Sequence, residues 1–515
     1  MQFSEKDIQF ITNYGLSTEE VNRQTAILQT GLPATTVLSA ARPKDGIQVL
    51  SAEQETQMLA VFEDEKSSFS MQKFVPASGA ATRMFKDWVF FHNNYKIGRH
   101  FYERFVKQNN LAAFPEELDD FLDSLPGFAF YQDLMDVIKQ SDTSVFQMEE
   151  NEQAWYFIHY ILSDDGLAYA RQPKAFLKFH RYGKKSITAL EEHLKEAEVY
   201  AQGKNEIPEV HFTISPQHLQ AFSALTNQLQ EKYQVNITYS FQKPETDTVM
   251  IYKDNDEIVR DNQNQIVFRP GGHGALIDNI QDLDADIIFV KNIDNLQKGE
   301  KQADTLKFKK ILAGYLMQIM QENKAHLEKL RDEKPIHDEL KAVEDFARNK
   351  MNINFIEGYD SLNNSGKRQY LAYKLNRPIR IAGMVKNTGE PGGGPFWAAD
   401  KNGLKSLQIV EKAQIDLSDA QQKQILEQAT HFNPVDLVLS IKDFEGKKFD
   451  LKEFINEQAA FLSEKSYQGK AVKVYERPGL WNGAMDNWNT IFVEVPISTF
   501  SPVKTVVDLL KPEHN

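Results

Sequence analysis

The spacing of apolar positions changes period several times along this chain. A short apolar run, Phe74-Val75, reads as the end of a buried strand. Small residues follow, Ala77-Ser78-Gly79-Ala80-Ala81, and from Arg83 to Trp88 the spacing becomes helical. Before this junction, residues 1–70 read as helices with polar connections. Helix starts fall at Ser4-Glu-Lys-Asp7 and Ser17-Thr-Glu-Glu20, and a third helix spans 51–62. After it, 87–170 is mostly helical and acidic, with an aromatic core segment Trp155-Tyr-Phe-Ile-His-Tyr160. Strand patterns then alternate with helices. They fall at 210–215, 235–241, 248–252, 265–268 and 286–290, with a helix from Pro216 to about Lys232. A charged helical stretch runs from Asp304 to about Arg348, and strands resume at 379–385, 407–411, 435–441 and 490–495. This alternation predicts an α/β fold with a mostly parallel mixed sheet flanked by helices. The expected organisation is a helical N-terminal cap over 1–70 and one α/β body over 71–515, with helical insertions at about 87–170 and 300–376.

Composition narrows the class. The 515 residues carry 59 basic and 73 acidic side chains, a formal net charge of −14. Such a balance disfavours nucleic acid or an anionic membrane as partner, yet leaves room for a nucleotide in a local cationic pocket. Cysteine is absent, which excludes disulfides, thiol nucleophiles and thiolate metal sites. Residues 1–20 lack an apolar signal core, so a soluble, cytoplasmic chain is expected. The oligomeric state is left open.

Several loops carry candidate chemistry. A strand, a small-residue loop and a helix start leave backbone N–H groups free for an anion, with Arg83 and Lys86 as fixed cations beside them. No Gly-Lys-Ser/Thr follows, so this is not a Walker loop. Packing alone also explains small residues at such a junction. Phe268-Arg-Pro-Gly-Gly-His-Gly-Ala-Leu-Ile277 is a second glycine-rich strand–helix junction. Ala382-Gly-Met-Val-Lys-Asn-Thr-Gly-Glu-Pro-Gly-Gly-Gly-Pro-Phe-Trp397 sets Lys386 and Glu390 in a loop stiffened by Pro391, Pro395 and Trp397. Trp481-Asn-Gly-Ala-Met-Asp-Asn-Trp-Asn489 combines amides and indoles, groups suited to sugars.

Taken in order, these stretches resemble the UDP-sugar pyrophosphorylases, and among them the UDP-N-acetylhexosamine pyrophosphorylase type. The first loop is similar to that family's Leu-x-Gly-Gly-x-Gly-Thr-Arg-Met/Leu signature, matching at Gly79, Thr82, Arg83 and Met84, with Ser78 and Ala81 in place of glycines. An alanine at 81 would be strained if that position needs a positive φ. Pro173-Lys174 resembles a Pro-Lys element, Pro270-Gly-Gly-His-Gly274 a Pro-x-Gly-His-Gly segment, and Val290-Lys-Asn-Ile-Asp-Asn295 a Val-Asp-Asn strand end. The 382–397 loop resembles Val-x-Lys-x-x-Pro-x-Glu-Pro-Val-Gly. Residues 406–415 resemble a Val-Glu-Tyr-Ser-Glu-Ile segment with Lys412 and Ala413 replacing Tyr and Ser. Thr499-Phe-Ser-Pro-Val-Lys-Thr505 resembles Phe-x-Pro-Leu-Lys-Asn. The match spans Pro76 to Thr505 and suggests a remote, uncharacterised bacterial branch.

The resemblance implies a nucleotide-diphospho-sugar transferase fold of the GT-A, Rossmann-like kind and the transfer of a nucleotidyl group, UTP favoured, to a sugar 1-phosphate. It assigns Arg83, Lys174, Lys386 and Lys504 to the phosphates and Asp294 to Mg²⁺, with Asp436 or Asp486 as a second carboxylate. Ser78, Gly79, Ala80, Ala81, Thr82, Gln242, Gly271, Gly272 and His273 would contact the nucleotide. Glu390, Gly393, Glu411 and Asn482 would face the sugar. Two other readings stand beside it. One is a non-catalytic nucleotide- or sugar-phosphate-binding protein, favoured by Ala81 and Lys412-Ala413. The other is a glycosyltransferase, which would use an Asp-x-Asp such as Asp284-Ala-Asp286, although here that element precedes its strand.

Overall fold

A computed structural model describes residues 3–331, 337–390, 392–400 and 403–515. Its centre is a ten-stranded mixed sheet. The strands that position the site are β1 (Gly46–Gln48), β2 (Met71–Pro76), β3 (Glu209–Ile214), β4 (Asn236–Phe241), β5 (Ile287–Lys291), β6 (Ile379–Lys386), β7 (Asp436–Ser440) and β8 (Asn489–Glu494). In space they run β1-β8-β6-β7-β5-β2-β3-β4, with Arg42–Pro43 beyond β1 and His431–Phe432 pairing β6. All neighbours are parallel except β7, which is antiparallel to both β6 and β5. The parallel strands therefore end along one edge, and β7 begins there.

Alternation along each strand sorts side chains onto two buried faces. Met71, Val75, Ile287, Phe289, Ile381, Val438, Ile491 and Val493 belong to the larger core. Helices α1 (Ala52–Glu65), α3 (Ala189–Tyr200) and α5 (Ala303–Lys329) also bury their apolar residues in it. Phe74, Ile288, Val290, Leu437, Leu439 and Phe492 face the smaller core, completed by Ile277, Trp397, Leu407 and Trp488. Helix α2 (Lys86–Asn94) opens the helical block that runs to residue 162, and α4 (Leu219–Lys232) links β3 to β4. The expected mostly parallel sheet flanked by helices is what the structure contains.

Three expectations differ in detail. Residues 37–48, read as polar connection, contain strands Val37–Ala40 and β1; the segments are short and lack a sustained alternation. Residues 407–411 join not the central sheet but a three-stranded one, in which Lys405–Val410 pairs Gly394–Ala399 and that strand pairs Val37–Ala40. The strand Thr248–Tyr252 lies outside the central sheet, pairing Phe268–Arg269 on one side and Lys470–Glu476, which the apolar pattern did not mark, on the other. Among the described residues no helix is long and apolar enough to cross a membrane.

On the larger-core face, strand alternation points Lys73, Lys291 and Asp436 inward beside Phe289 and Val438. Glu196 of α3 joins two of them: its carboxylate takes Lys73 Nζ at 2.8 Å and Lys291 Nζ at 2.6 Å, with all three side chains at most 3% exposed. Lys73 also donates to the His193 carbonyl, and Lys309 of α5 pairs with Asp436 while donating to the Val290 carbonyl. Burial pushes Lys73 down to about 7, and the neighbouring lysines push the same way against Glu196. Burial alone would raise Glu196, but Lys291 and Lys73 hold it below the usual carboxylate range. Removing one partner of such a cluster leaves bare buried charge. Glu196→Gln is expected to lower unfolding stability by about 3–5 kcal/mol, measured by urea denaturation; a loss under about 1 kcal/mol would show that water reaches these ammonium groups.

Candidate functional site

The site lies where the parallel strands end, the edge at which open α/β sheets bind ligands. β2 ends at Pro76, and the loop that follows is pinned from two sides. Ala77 N–H donates to Thr213 O (2.9 Å) and Ser215 Oγ to Ser78 O (3.2 Å). Ala81 N–H donates to Gln172 O (3.0 Å), Lys174 N–H to Gly79 O (3.4 Å) and Thr82 Oγ1 to Ala170 O (3.2 Å). Ala81–Arg83 form a 3-10 turn before α2. Ala81 is buried, and no residue from 77 to 85 has a positive φ, so the two alanines and Ser78 sit without strain. The N–H groups of Ser78, Gly79 and Ala80 donate to nothing among the described residues, and the space before Gly79 is open. Arg83 and Lys86 are exposed and pair with no carboxylate among the described residues. Three free donors and two free cations thus share one rim.

Beside this rim, a strand end and two distant lysines meet. Asp294 follows β5 and is 7% exposed. Its carboxylate accepts Lys174 Nζ at 2.8 Å and Lys504 Nζ at 3.0 and 3.2 Å. Lys174 Nζ also donates to Val503 O at 2.7 Å, and Val503 N–H donates to Asp294 O at 2.9 Å. Residues 501–504 are thereby laced to 294–295, through Ser501 N–H to Asn295 Oδ1 (2.9 Å) and an Asn295–Pro502 bridge. Burial would raise Asp294, but Lys174 and Lys504 hold it below the usual range; burial lowers Lys174 against the pull of Asp294. The Lys504 side chain keeps 58% of its surface exposed, whereas Lys174 is 13% exposed and also held by Val503 O.

Lys386 closes β6 on the same edge. Its ammonium is 72% exposed and stands 3.8 Å from Glu494 at the end of β8. His431 Nε2 faces the other Glu494 oxygen at 3.9 Å and has no hydrogen-bond partner among the described residues. Glu390 is exposed in the loop that follows, with its N–H on Asn387 Oδ1; Pro391 lies outside the described residues. Phe432 joins this region to the Lys504 segment by an edge-on contact with Phe500, and lies against Gly392.

A second group stands around His273. The ring stacks on Trp481 with centroids 4.1 Å apart, and its Nδ1 accepts the Leu480 N–H at 3.0 Å. Burial lowers His273 to about 4, so the ring is a neutral donor through Nε2, 4.0 Å from Glu411. Asn482 donates to Glu411 at 3.2 Å, and burial raises the Glu411 carboxyl. Gly393 packs between Ile409 and Glu411. His273, Glu411, Asn482 and Gly393 therefore form one polar wall with an indole face.

The glycines of the 270–274 run have a packing reason. A Cβ on Gly271 would stand 2.4 Å from the Thr246 carbonyl, one on Gly274 2.0 Å from that of Pro478, and Gly272 has φ +81°. Gln242 turns to Asp247, which also accepts Tyr14 OH, so the N-terminal helices engage it. Asp436 reaches the correct edge but is held by buried Lys309. Asp486 lies next to Arg380 and is raised to about 6 by burial, near Asn487–Asn489, where β8 starts, at the opposite edge. Lys309 thus occupies Asp436, and Asp486 stands away from Asp294. Asp284 and Asp286 also sit at that opposite edge, paired with Lys442. Lys73, Lys291, His193 and Glu196 escape sequence reasoning: single lysines in apolar strands have no spacing signature, and α3 looks like a solvated helix. The available signal is that Lys73 and Lys291 each stand on the inward face of an apolar run, Lys73 in register with Phe289.

Residues 4–515 match the model of a family described as a domain of unknown function, DUF4301, and the chain belongs to that family. No curated protein matches it. Solved structures similar to it include UDP-glucose pyrophosphorylase from Leishmania major, in open and closed forms. That match has 12% identity, covers 99% of this chain and 79% of that one, and has a TM-score of 0.42. The uridine diphosphate N-acetylglucosamine pyrophosphorylase of Trypanosoma brucei, in complex with inhibitor, is similar at 12% identity, 98% and 76% coverage and a TM-score of 0.47.

Asp294→Asn is expected to cost about 3 kcal/mol at neutral pH, because it strands the buried Lys174 ammonium. The folded carboxyl lies below its unfolded value of about 4, so its contribution is present above that pH and disappears as pH falls through the folded value. Urea unfolding of wild type and variant from about pH 3 to about pH 7 should show the difference shrinking at the acid end; a pH-independent difference would mean that the loss does not come from the ionised carboxylate.

Proposed function

We propose that this chain is a nucleotidyltransferase that joins a nucleoside triphosphate, with UTP favoured, to a sugar 1-phosphate and releases pyrophosphate. The observation that carries the reading is the convergence of Lys174 and Lys504 on Asp294, beside a loop with three free N–H donors and two unpaired cations. A site of that kind suits polyphosphate, and its order along the chain follows the motif order of the UDP-sugar pyrophosphorylases.

The reaction needs no protein nucleophile. An oxygen of the sugar phosphate attacks the α-phosphorus, the bond to the β-phosphate bridging oxygen breaks in line, and pyrophosphate departs with the bonding pair. Arg83 and the Ser78–Ala80 N–H groups would hold the β- and γ-phosphates. Lys174, fixed by Val503 O, would face the α-phosphate. Lys504 would leave Asp294 for the incoming phosphate, and Lys386, exposed and held only loosely by Glu494, would share that charge. The His273–Trp481 stack with Gly271 and Gly272 would border the base or ribose, and Glu411, Asn482, Gly393 and Glu390 the sugar.

The residues fit Mg²⁺ in one way. Among the described residues no group of three or more ligating side chains exists, so no protein cage is formed. A hard cation bound by Asp294 alone and completed by phosphate oxygens and water matches the usual habit of Mg²⁺. Bound there, Mg²⁺ would offset phosphate charge as it develops. Both Asp294 oxygens carry ammonium contacts here, so the ion would replace Lys504.

The test is pyrophosphate release with Mg²⁺ over a panel of triphosphates and sugar 1-phosphates, using wild type, Arg83→Ala, Lys174→Met and Asp294→Ala. Sugar-dependent release is expected, with each variant slowed about 10²–10³-fold. Nucleotide binding without release by any pair would replace the reading with a binding protein. Absence of both would leave only shared fold.

A further inference from the structure

Three side chains from three strands meet where β6 ends at the site. Lys386 closes β6, Glu494 closes β8, and His431 lies in register with Lys386 on the short strand His431–Phe432. Alternation sets all three on one face of the sheet. Met384 and Phe492, two residues before Lys386 and Glu494, face the smaller core, whereas Phe432, next to His431, faces the larger one. Glu494 touches both neighbours and is bound by neither. Lys386 Nζ stands 3.8 Å from one of its oxygens and His431 Nε2 3.9 Å from the other, each about 1 Å beyond a hydrogen bond. The carboxylate has no other partner among the described residues.

The two neighbours differ in what else can serve them. The Lys386 ammonium is open to solvent, whereas His431 is 2% exposed and its Nε2 is buried without a partner. A buried ring nitrogen in that position needs a protein partner. His431 is also fixed in place. Asn387 N–H donates to Thr430 O at 2.9 Å, Asn433 N–H to Gly393 O at 2.9 Å and the Asn433 amide to Gly383 O at 2.9 Å. On the ring, Nδ1 lies 2.8 Å from Thr430 Oγ1. Burial keeps His431 below its ordinary value against the pull of Glu494, so the ring is neutral and carries one proton. A carboxylate only accepts, while a hydroxyl can donate. Both neighbours are satisfied when Thr430 O–H donates to Nδ1 and the ring proton sits on Nε2, facing Glu494.

A phosphate at Lys386 would meet the Glu494 carboxylate a few ångströms away, and like charges so close repel. We infer that Glu494 is shared, turning from Lys386 to the His431 Nε2–H when an anion draws the ammonium away, and that His431 is thereby a positioning residue which holds the carboxylate aside. The turn needs a shift of about 1 Å and gives the buried N–H the acceptor it lacks. That the anion is the phosphate of a sugar 1-phosphate rests on the proposed function; the sharing of Glu494 does not.

Lys386→Met removes the ammonium without any ligand and so tests the sharing alone. Long-range ¹H–¹⁵N spectra of the histidine-labelled full chain read the ring, with His431→Gln identifying it among twelve histidines. Wild-type His431 should be neutral at neutral pH with its proton on Nε2. In Lys386→Met that proton should move downfield and exchange with water about tenfold more slowly. A proton on Nδ1 in wild type, or an Nε2 proton that Lys386→Met leaves unchanged, overturns the inference. Where wild type releases pyrophosphate, His431→Phe should raise KM for the sugar 1-phosphate about tenfold with kcat nearly kept. His431→Gln, whose amide can donate in place of Nε2, should keep KM near wild type, and adding Glu494→Ala to His431→Phe should bring it back. Equal loss in His431→Phe and His431→Gln, or a loss that Glu494→Ala does not relieve, overturns positioning. If wild type turns over no pair, the proposed function fails and the spectra decide the sharing of Glu494.

Discussion

Glu196 is the point on which the architecture rests. It stands between the ammonium groups of Lys73 and Lys291, on adjacent parallel strands, with both side chains buried. With Lys309 and Asp436 the cluster holds three lysines and two carboxylates, and burial lowers Lys73 to about 7, so its third proton is weakly held at neutral pH. Such a group is costly to bury unless every partner is present. Its position explains why it is there. Lys291 is three residues before Asp294, and His193 of the same helix meets the Ile293 carbonyl at 3.2 Å. The helix that neutralises the sheet interior therefore also sets the strand end that bears the site carboxylate. This edge carries Arg83, Lys86, Lys386 and Lys504 on its rim, and those cations attract anions.

Much of the sheet was legible because its strands are buried on both faces and read as apolar runs: 71–76, 210–214, 287–291, 379–386 and 489–494. Their spatial order was not legible, since pairing between 287–291 and 436–440 is set by contacts far apart in sequence. The short strands at 37–48 carry too few residues to show a period. Of the site, Arg83 was marked by its strand–loop–helix junction, whereas Lys174, Asp294 and Lys504 were singled out by the resemblance of their segments to the pyrophosphorylase motifs. The grouping of His273 with Glu411 and Asn482 depends on three loops meeting, which no local pattern encodes. The glycines at 271 and 274 have a packing requirement of their own: neighbouring carbonyls leave no room for a side chain.

The first loop shows how a motif tolerates loss of its glycines. What the conformation demands at 81 is small volume, because the side chain is buried against the 170–173 segment, and its backbone is an ordinary right-handed turn. Alanine meets that demand. The open N–H groups are on residues 78–80, upstream of the burial, so side-chain identity at 81 and donor geometry at 78–80 are separate requirements.

The central sheet interleaves early and late parts of the chain. β1, at residues 46–48, lies beside β8 at 489–494, which lies beside β6; β5 and β2 are reached only across β7. A chain with such pairings has high contact order, and topologies of that kind close slowly because long loops must be ordered before their contacts form. No cut through the middle yields a half with a complete sheet. The two lysines that meet at Asp294 come from positions 174 and 504, so the charged edge is complete only where segments far apart in sequence have met.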